Sequence, residues 1–158
     1  MKRPLGNTGR SVVSIGLGGM PLSIQNRPDE RTALAVITAF LDGGGDFIDT
    51  AISYCLDEAD FGHNERLIAK ALRAAKRSDV LVATKGGLTR PAGRWEVDCS
   101  PSWLRQCCEH SASDLGAPIA LYYFARRRSR GAARGLRGRA RAVTRGRQDC
   151  GDRPLQRG

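Results

Sequence analysis

Three side chains of different chemistry, the carboxylate of Asp49, the phenol of Tyr54 and the amine of Lys85, stand at or just after the ends of short apolar runs. Phe47-Ile48, entered from Gly43-Gly44-Gly45, reads as a buried strand, and Asp49 follows it directly. A carboxylate there must find a cation, a hydrogen-bond donor or water, because an unpaired buried charge costs roughly several kcal/mol. Val80-Leu81-Val82-Ala83 is too short for a helix and, as a strand, delivers Thr84 and Lys85 at its C-terminal end. Such groups make an acid–base set. A phenol at its unperturbed pKa of about 10 is a poor acid, a neighbouring ammonium favours the phenolate, and a carboxylate can hold the ammonium in place. Taken singly, each residue has a plainer reading. Asp49 suits a turn capped through the amides of Thr50 or Ala51, Tyr54 suits packing with a wet hydroxyl, and Lys85 suits an exposed surface.

Convergence depends on the elements between these residues. Residues 2–14 hold Gly6-Asn7-Thr8-Gly9 between short flanks, which predicts a turn joining two small strands. Ser14 to Gly19 is a candidate first strand of the main sheet, with Ile15 and Leu17 apolar and glycines that permit close backbone approach. After Pro28 a helix from Asp29 to Asp42 opens on acids suited to its positive end, places Leu34, Ile37 and Leu41 on one face, and stops at Gly43 to Gly45. The strand Asp46 to Asp49 leads into a polar loop, residues 55–61, which reads either as a wall of a substrate pocket or as a solvated acidic segment. Asn64 is expected to cap the next helix, with Ile68, Ala71, Leu72 and Ala75 inward and Lys70, Arg73 and Lys76 outward. Ser100-Pro101 opens a third helix carrying Leu104, Cys108, Ser111 and Leu115, and Gly116 ends it. Ile119 to Phe124 is a fourth strand. Strand and helix thus alternate three times before one further strand, which implies parallel strands with right-handed crossovers. Parallel strands of a barrel present their C-terminal ends on one face, where Asp49, Tyr54 and Lys85 would meet.

Asp49-Thr50-Ala51 followed by Tyr54, together with Gly62-His63-Asn64-Glu65, Ala83-Thr84-Lys85-Gly86-Gly87 and Gly16-Leu17-Gly18-Gly19-Met20, resembles the aldo-keto reductases, NADP-dependent enzymes built on a (β/α)8 barrel. The resemblance covers residues 1–124. It implies reduction of aldehydes or ketones to alcohols by hydride transfer, with Tyr54 as proton donor, Lys85 as its tuning cation and Asp49 as the partner of Lys85. It also implies that Gly18, Gly19, Met20 and Asp49 lie against the nicotinamide ribose of NADP(H), and that the N-terminal hairpin closes the barrel floor. The family's fourth catalytic group, a histidine just after the fourth strand that orients the substrate carbonyl, has no counterpart here, where Phe124 is followed by Ala125-Arg126-Arg127. The two histidines fall elsewhere, His63 as a polar residue at a helix start and His110 as an exposed residue of the third helix. A chain of 158 residues has room for one domain, whereas a complete barrel takes about 250. The expected fold class is therefore α/β, a partial (half) TIM (β/α)8 barrel with an N-terminal β-hairpin, spanning residues 1–125. The strands absent from that half carry most of the family's contacts to the NADP phosphates and adenine.

Charge divides the chain at the same place. The 26 Lys and Arg exceed the 16 Asp and Glu by the net +10, and from Arg126 onward there are 12 Arg and 2 acids, leaving 14 basic and 14 acidic residues before it. Repeated Arg-Gly-Ala without aromatics predicts a disordered tail over 126–158. The change within two residues of a strand in register with the family suggests a shift of reading frame, and with it a truncated reductase, inactive alone. The alternatives are nonspecific nucleic-acid binding by the tail through counterion release, without base stacking, or a remnant with no function. Five cysteines, at 55, 99, 107, 108 and 150, form no CxxC pair and no metal-ligand spacing, which favours a reducing cytoplasm and no metal centre. Pro4-Leu5-Gly6-Asn7 after Lys2-Arg3 is unlike a signal peptide, and no stretch reaches the roughly 20 apolar residues of a membrane span.

Overall fold

The computed structural model describes residues 1–125. At the start of the chain Gly6 and Gly9 both take positive φ, and the turn they make folds β1 (Lys2–Pro4) antiparallel onto β2 (Ser11–Val13), Lys2 opposite Val13. The first strand of the main sheet is shorter than its sequence suggests. Only β3 (Leu17–Gly18) pairs, Leu17 with Ile48 and Gly18 with Asp49, while residues 14 and 15 form the bend that carries the chain from hairpin to sheet. Ile15 therefore meets no partner strand and is 79% exposed, which corrects the reading of Ser14 to Gly19 as one apolar strand.

Helix α1 (Glu30–Asp42) is capped by Asp29, whose side chain accepts from the Thr32 amide at 2.7 Å, and buries Ala33, Ile37 and Leu41. Strand β4 (Phe47–Asp49) follows the glycine turn. Helix α2 (His63–Ala74) starts from Gly62 in the left-handed conformation, φ 74°, with no side-chain cap. Asn64 is thus not the cap the sequence suggested. It sits inside the first turn, fully buried, and its amide serves other partners. Leu67, Ile68, Ala69 and Ala71 form the buried face, while Ala75 lies just past the last turn and is exposed rather than inward. Strand β5 (Leu81–Gly86) leads into a small hairpin, β6 (Leu88–Thr89) against β7 (Glu96–Val97), that no sequence periodicity announced. Helix α3 (Pro101–Leu115) is capped by Ser100 at its start and by Gly116, φ 64°, at its end, and buries Cys107 and Ser111. Strand β8 (Leu121–Phe124) completes the described sheet.

The main sheet has the order β3-β4-β5-β8 and every pairing is parallel, with Asp49 beside Ala83 and Lys85 beside Tyr123. Its two faces are packed differently. On one, Ile48 meets Ile37, Leu41 and Ile68 from the helices. On the other, Leu81, Ala83 and Leu121 pack under Val12 of the N-terminal hairpin, with Phe47 and Tyr123 at the margin. The hairpin is tied down by Asp46, which accepts from the Val13 amide at 2.7 Å and pairs with Lys2 at 2.8 Å. Burial works against the Asp46 anion, but the Lys2 and Val13 hydrogen bonds hold its carboxyl below the usual range. The hairpin therefore closes the floor of a half-barrel. Side chains alternate along a strand, so Lys85 shares the inner face with Leu81 and Ala83, and Asp49 shares it with Phe47.

No helix of the described residues is long and apolar enough to cross a membrane, and among them no group of three His, Cys, Asp or Glu could hold a metal ion. The expected tail of residues 126–158, with its nucleic-acid contact, lies outside the described residues.

Candidate active site

Asp49 is the last residue of β4, Tyr54 lies in the loop that follows, and Lys85 is the penultimate residue of β5. The Ala51–Tyr54 turn, closed by the Tyr54 amide on the Ala51 carbonyl at 3.0 Å, brings the phenol back over the sheet end. Lys85 Nζ donates to Asp49 Oδ2 at 2.7 Å and to the Thr50 carbonyl at 2.8 Å, and stands 4.7 Å from the centroid of the Tyr54 ring. Two of the plainer readings do not hold. Lys85 is no surface lysine, since only 17% of its side chain is exposed. Asp49 does not cap the Thr50 amide, which donates instead to the Ala83 carbonyl at 2.8 Å. Tyr54 is 9% exposed, packed but bordering a cavity.

That cavity, about 240 Å3, opens above the sheet end. Tyr54, Lys85 and Ser53 supply its polar groups, and Met20, Leu88 and Trp95 much of its apolar wall. Ala125, the residue directly after β8, also lines it. Neither histidine approaches: His63 shares a hydrogen bond with Ser23 at 2.8 Å, burial holding its imidazole below the usual pKa, and His110 pairs with Asp114 on the exposed side of α3.

Of the four residues expected at the cofactor, Asp49 is paired with Lys85 and the other three divide. A side chain on Gly18 would meet nothing within 4 Å, so open space adjoins this point of β3, and Met20 is 40% exposed where it lines the cavity. Gly19 is committed to the protein. Its amide donates to the Asp49 carbonyl at 2.8 Å, and a Cβ would collide with the side chain of Asn64. Residues 55–61 contribute nothing to the cavity wall, contrary to one sequence reading. Their acids are used structurally: Asp60 pairs with Arg27 at 2.5 Å, Glu58 accepts from the Ala92 amide at 2.7 Å, and Asp57 accepts from the Ala59 amide at 3.0 Å. Cys55 lies at the base of this loop with no exposed surface, and burial pushes its thiol up to about 12, so it is inert at neutral pH.

Several residues of the site were not found by sequence reasoning. Asn64 accepts from Thr50 Oγ1 at 2.6 Å and donates to the Gly19 carbonyl at 2.8 Å and to Ser23 Oγ at 2.7 Å, tying together the loops after β3 and β4. Glu65 has no exposed surface and accepts from Thr84 Oγ1 at 2.5 Å, one residue before Lys85, and burial pushes its carboxyl up to about 7. The Gly-His-Asn-Glu run was legible as a motif, but the inward direction of its last two side chains was not. Tyr123 stands in register with Lys85, its phenol raised by burial and by the Asp49 charge against the opposing pull of Lys85. An apolar strand gives no signal that separates such a residue from its neighbours.

The model of the aldo/keto reductase family matches residues 14–129, which takes in all the main-sheet strands and all these groups. The chain belongs to the aldo-keto reductase family. It is 34% identical over 123 residues to the Glycine max protein named "Probable aldo-keto reductase 1", covering 75% of this chain and 34% of the relative. It is 35% identical over 120 residues to the 6-dehydroglucose reductase of Novosphingobium aromaticivorans, covering 74% and 38%. Among solved structures, the holo form of an aldo-keto reductase from Bacillus halodurans superposes with a TM-score of 0.65 at 31% identity, covering 78% of this chain and 39% of that one. This aldo-keto reductase chain thus spans just over a third of the length of these two curated relatives.

Proposed function

We propose that the chain carries the carbonyl-reducing site of an NADP(H)-dependent aldo-keto reductase, with Tyr54 as proton donor, Lys85 as its electrostatic partner and Asp49 as the anchor of Lys85. One observation carries the reading: the Lys85 ammonium is held by Asp49 at 2.7 Å while standing 4.7 Å from the Tyr54 ring, beside a cavity. Reduction of a carbonyl places a hydride on carbon and a proton on oxygen. When bound, NADP(H) supplies the hydride. The residues present suit its nicotinamide end: Gly18 adjoins open space, Met20 borders the cavity, and Asp49 keeps a second carboxylate oxygen beyond the one Lys85 uses, with 34% of its side chain exposed to accept from a ribose hydroxyl. Tyr54 gives its hydroxyl proton to the oxygen of the reduced carbonyl, and the ammonium beside the ring stabilises the phenolate left behind. Asp49 and the Thr50 carbonyl fix where that ammonium stands. The mostly apolar cavity wall keeps water from competing for the proton.

The same geometry argues for slow turnover by the described residues alone. Ala125 lines the cavity directly after β8, the place from which the family's histidine would aim the carbonyl, and an alanine side chain has no hydrogen-bond donor. We propose residues 1–125 as the folded half-barrel unit that presents this site, acting on small carbonyl compounds. The test is loss of the nicotinamide absorbance when NADPH and an aldehyde are mixed with the protein. Slow aldehyde-dependent oxidation that Tyr54→Phe lowers by about 10²-fold or more is expected. Oxidation unaffected by that substitution would refute the assignment.

A further inference from the structure

Arg90 is the largest side chain of the described residues with no exposed surface. A buried guanidinium ordinarily has a carboxylate beside it. Among the described residues none forms an ion pair with Arg90. Its Nη2 donates to Gln25 Oε1 at 3.0 Å and to the Leu56 carbonyl at 2.9 Å, while Nε and Nη1 have no hydrogen-bond partner among the described residues. Its Cζ stands 3.9 Å from the centroid of the Trp95 ring, well within the range of about 6 Å over which a ring face attracts a cation. Trp95 in turn lines the cavity that holds Tyr54 and Lys85, and Arg90 does not.

An apolar side chain would fill this volume without leaving two nitrogens unpaired. Arginine adds a planar cation that attracts one face of an indole, strongly so where water is excluded, and that is aimed by two hydrogen bonds from Nη2. The Trp95 ring is thereby fixed on a hairpin with only two residues in each strand. The charge itself is not offered to a ligand, because Arg90 has no exposed surface. Lys85, the one cation that lines the cavity among the described residues, is already paired with Asp49.

We propose that Arg90 is a positioning residue that holds Trp95 as a fixed wall of the cavity, and that the site accordingly takes uncharged carbonyl substrates bearing a flat apolar group in preference to anionic ones. The identity of the substrate as a carbonyl rests on the proposed reductase function. The wall does not, and it can be read without turnover. In a Trp103→Phe background, where Trp95 is the remaining tryptophan, 4-nitrobenzyl alcohol should quench emission saturably and bind at least about fivefold more tightly than 4-nitrobenzoate. Arg90→Met should weaken binding of the alcohol by a similar factor with the far-ultraviolet circular dichroism unchanged, and Arg90→Lys should restore part of it. If Arg90→Met fails to fold, Gln25→Ala, at an exposed position, removes one of the two hydrogen bonds that aim the guanidinium and should weaken binding in the same direction by less. With turnover, Arg90→Met should raise KM for 4-nitrobenzaldehyde while kcat stays within a few-fold, a split that general loosening of the fold would not produce. Tighter binding of 4-nitrobenzoate that is lost in Arg90→Met would make Arg90 an anion anchor and overturn the proposal. So would identical affinities in the Arg90 and Gln25 variants and their parent. Absence of turnover alongside the expected quenching counts against the reductase reading alone.

Discussion

Lys85 has three N–H donors and two are committed, to Asp49 and to the Thr50 carbonyl, which fixes the ammonium beside Tyr54. Ala125, which lines the same cavity, has no side-chain donor. Ala125→His is therefore expected to raise kcat/KM for an aldehyde, by about tenfold or more, because a donor that orients the carbonyl restores a near-attack geometry. Steady-state NADPH oxidation checks this, and an unchanged kcat/KM would show that the wall after β8 does not face the substrate. The proximity of Asp49, Tyr54 and Lys85 was legible in the sequence because Asp49 and Lys85 each follow an apolar run and Tyr54 comes soon after the first, and the absence of a histidine after the fourth strand was legible too. Arg90 and Trp95 were not. They lie in a stretch of residues without helical or strand periodicity, and nothing local distinguishes a buried arginine from a solvated one.

Helix α2 shows what periodicity leaves out. Its apolar stripe was read correctly at Ile68, Ala71 and Leu72, yet its first turn points Asn64 and Glu65 inward, because the left-handed Gly62 starts the helix without a side-chain cap and leaves Asn64 free to bridge two loops. Glu65 gives this element a pH dependence. Its folded pKa, about 7, lies above the ordinary carboxylate value of 4.5, so between those values the folded chain holds a proton that the unfolded chain has released. Stability from this group falls as pH rises across that window, by about 1.4 kcal/mol per pH unit, and stays reduced above it. Glu65→Gln keeps the shape of the protonated acid and removes the loss. Urea unfolding should find the variant close to the parent near pH 4.5 and more stable than it, by roughly 1–3 kcal/mol, near pH 8. A parent and variant with parallel pH profiles would show that Glu65 ionises freely in the fold. The short β3 and the β6–β7 hairpin were beyond sequence reasoning for a different reason: with two residues in each strand, they have too few positions to show a period.

The described residues build half of a barrel, and its inner face depends on the N-terminal hairpin. Val12 covers Leu81, Ala83 and Leu121 there, so Val12→Ala should lower stability by about 1–2 kcal/mol in denaturant unfolding, whereas an equal stability would place the floor outside the core. Strands β3 and β8 each have one neighbour in the described sheet, and the packing that positions the site runs between them through Phe47, Leu81 and Ala83. Residues 36 apart in sequence, Asp49 and Lys85, meet because β4 and β5 are adjacent and parallel, with Asp49 beside Ala83 and Lys85 two residues further along β5. Whether Tyr54 and Lys85 act as one unit is the centre of the account, and a double-mutant cycle on kcat/KM for NADPH-dependent aldehyde reduction tests it most directly. Tyr54→Phe and Lys85→Met should each cost about 10²-fold or more, and the double variant should be no worse than the poorer single by more than about threefold. Losses that multiply, or a Tyr54→Phe enzyme as fast as its parent, would contradict it.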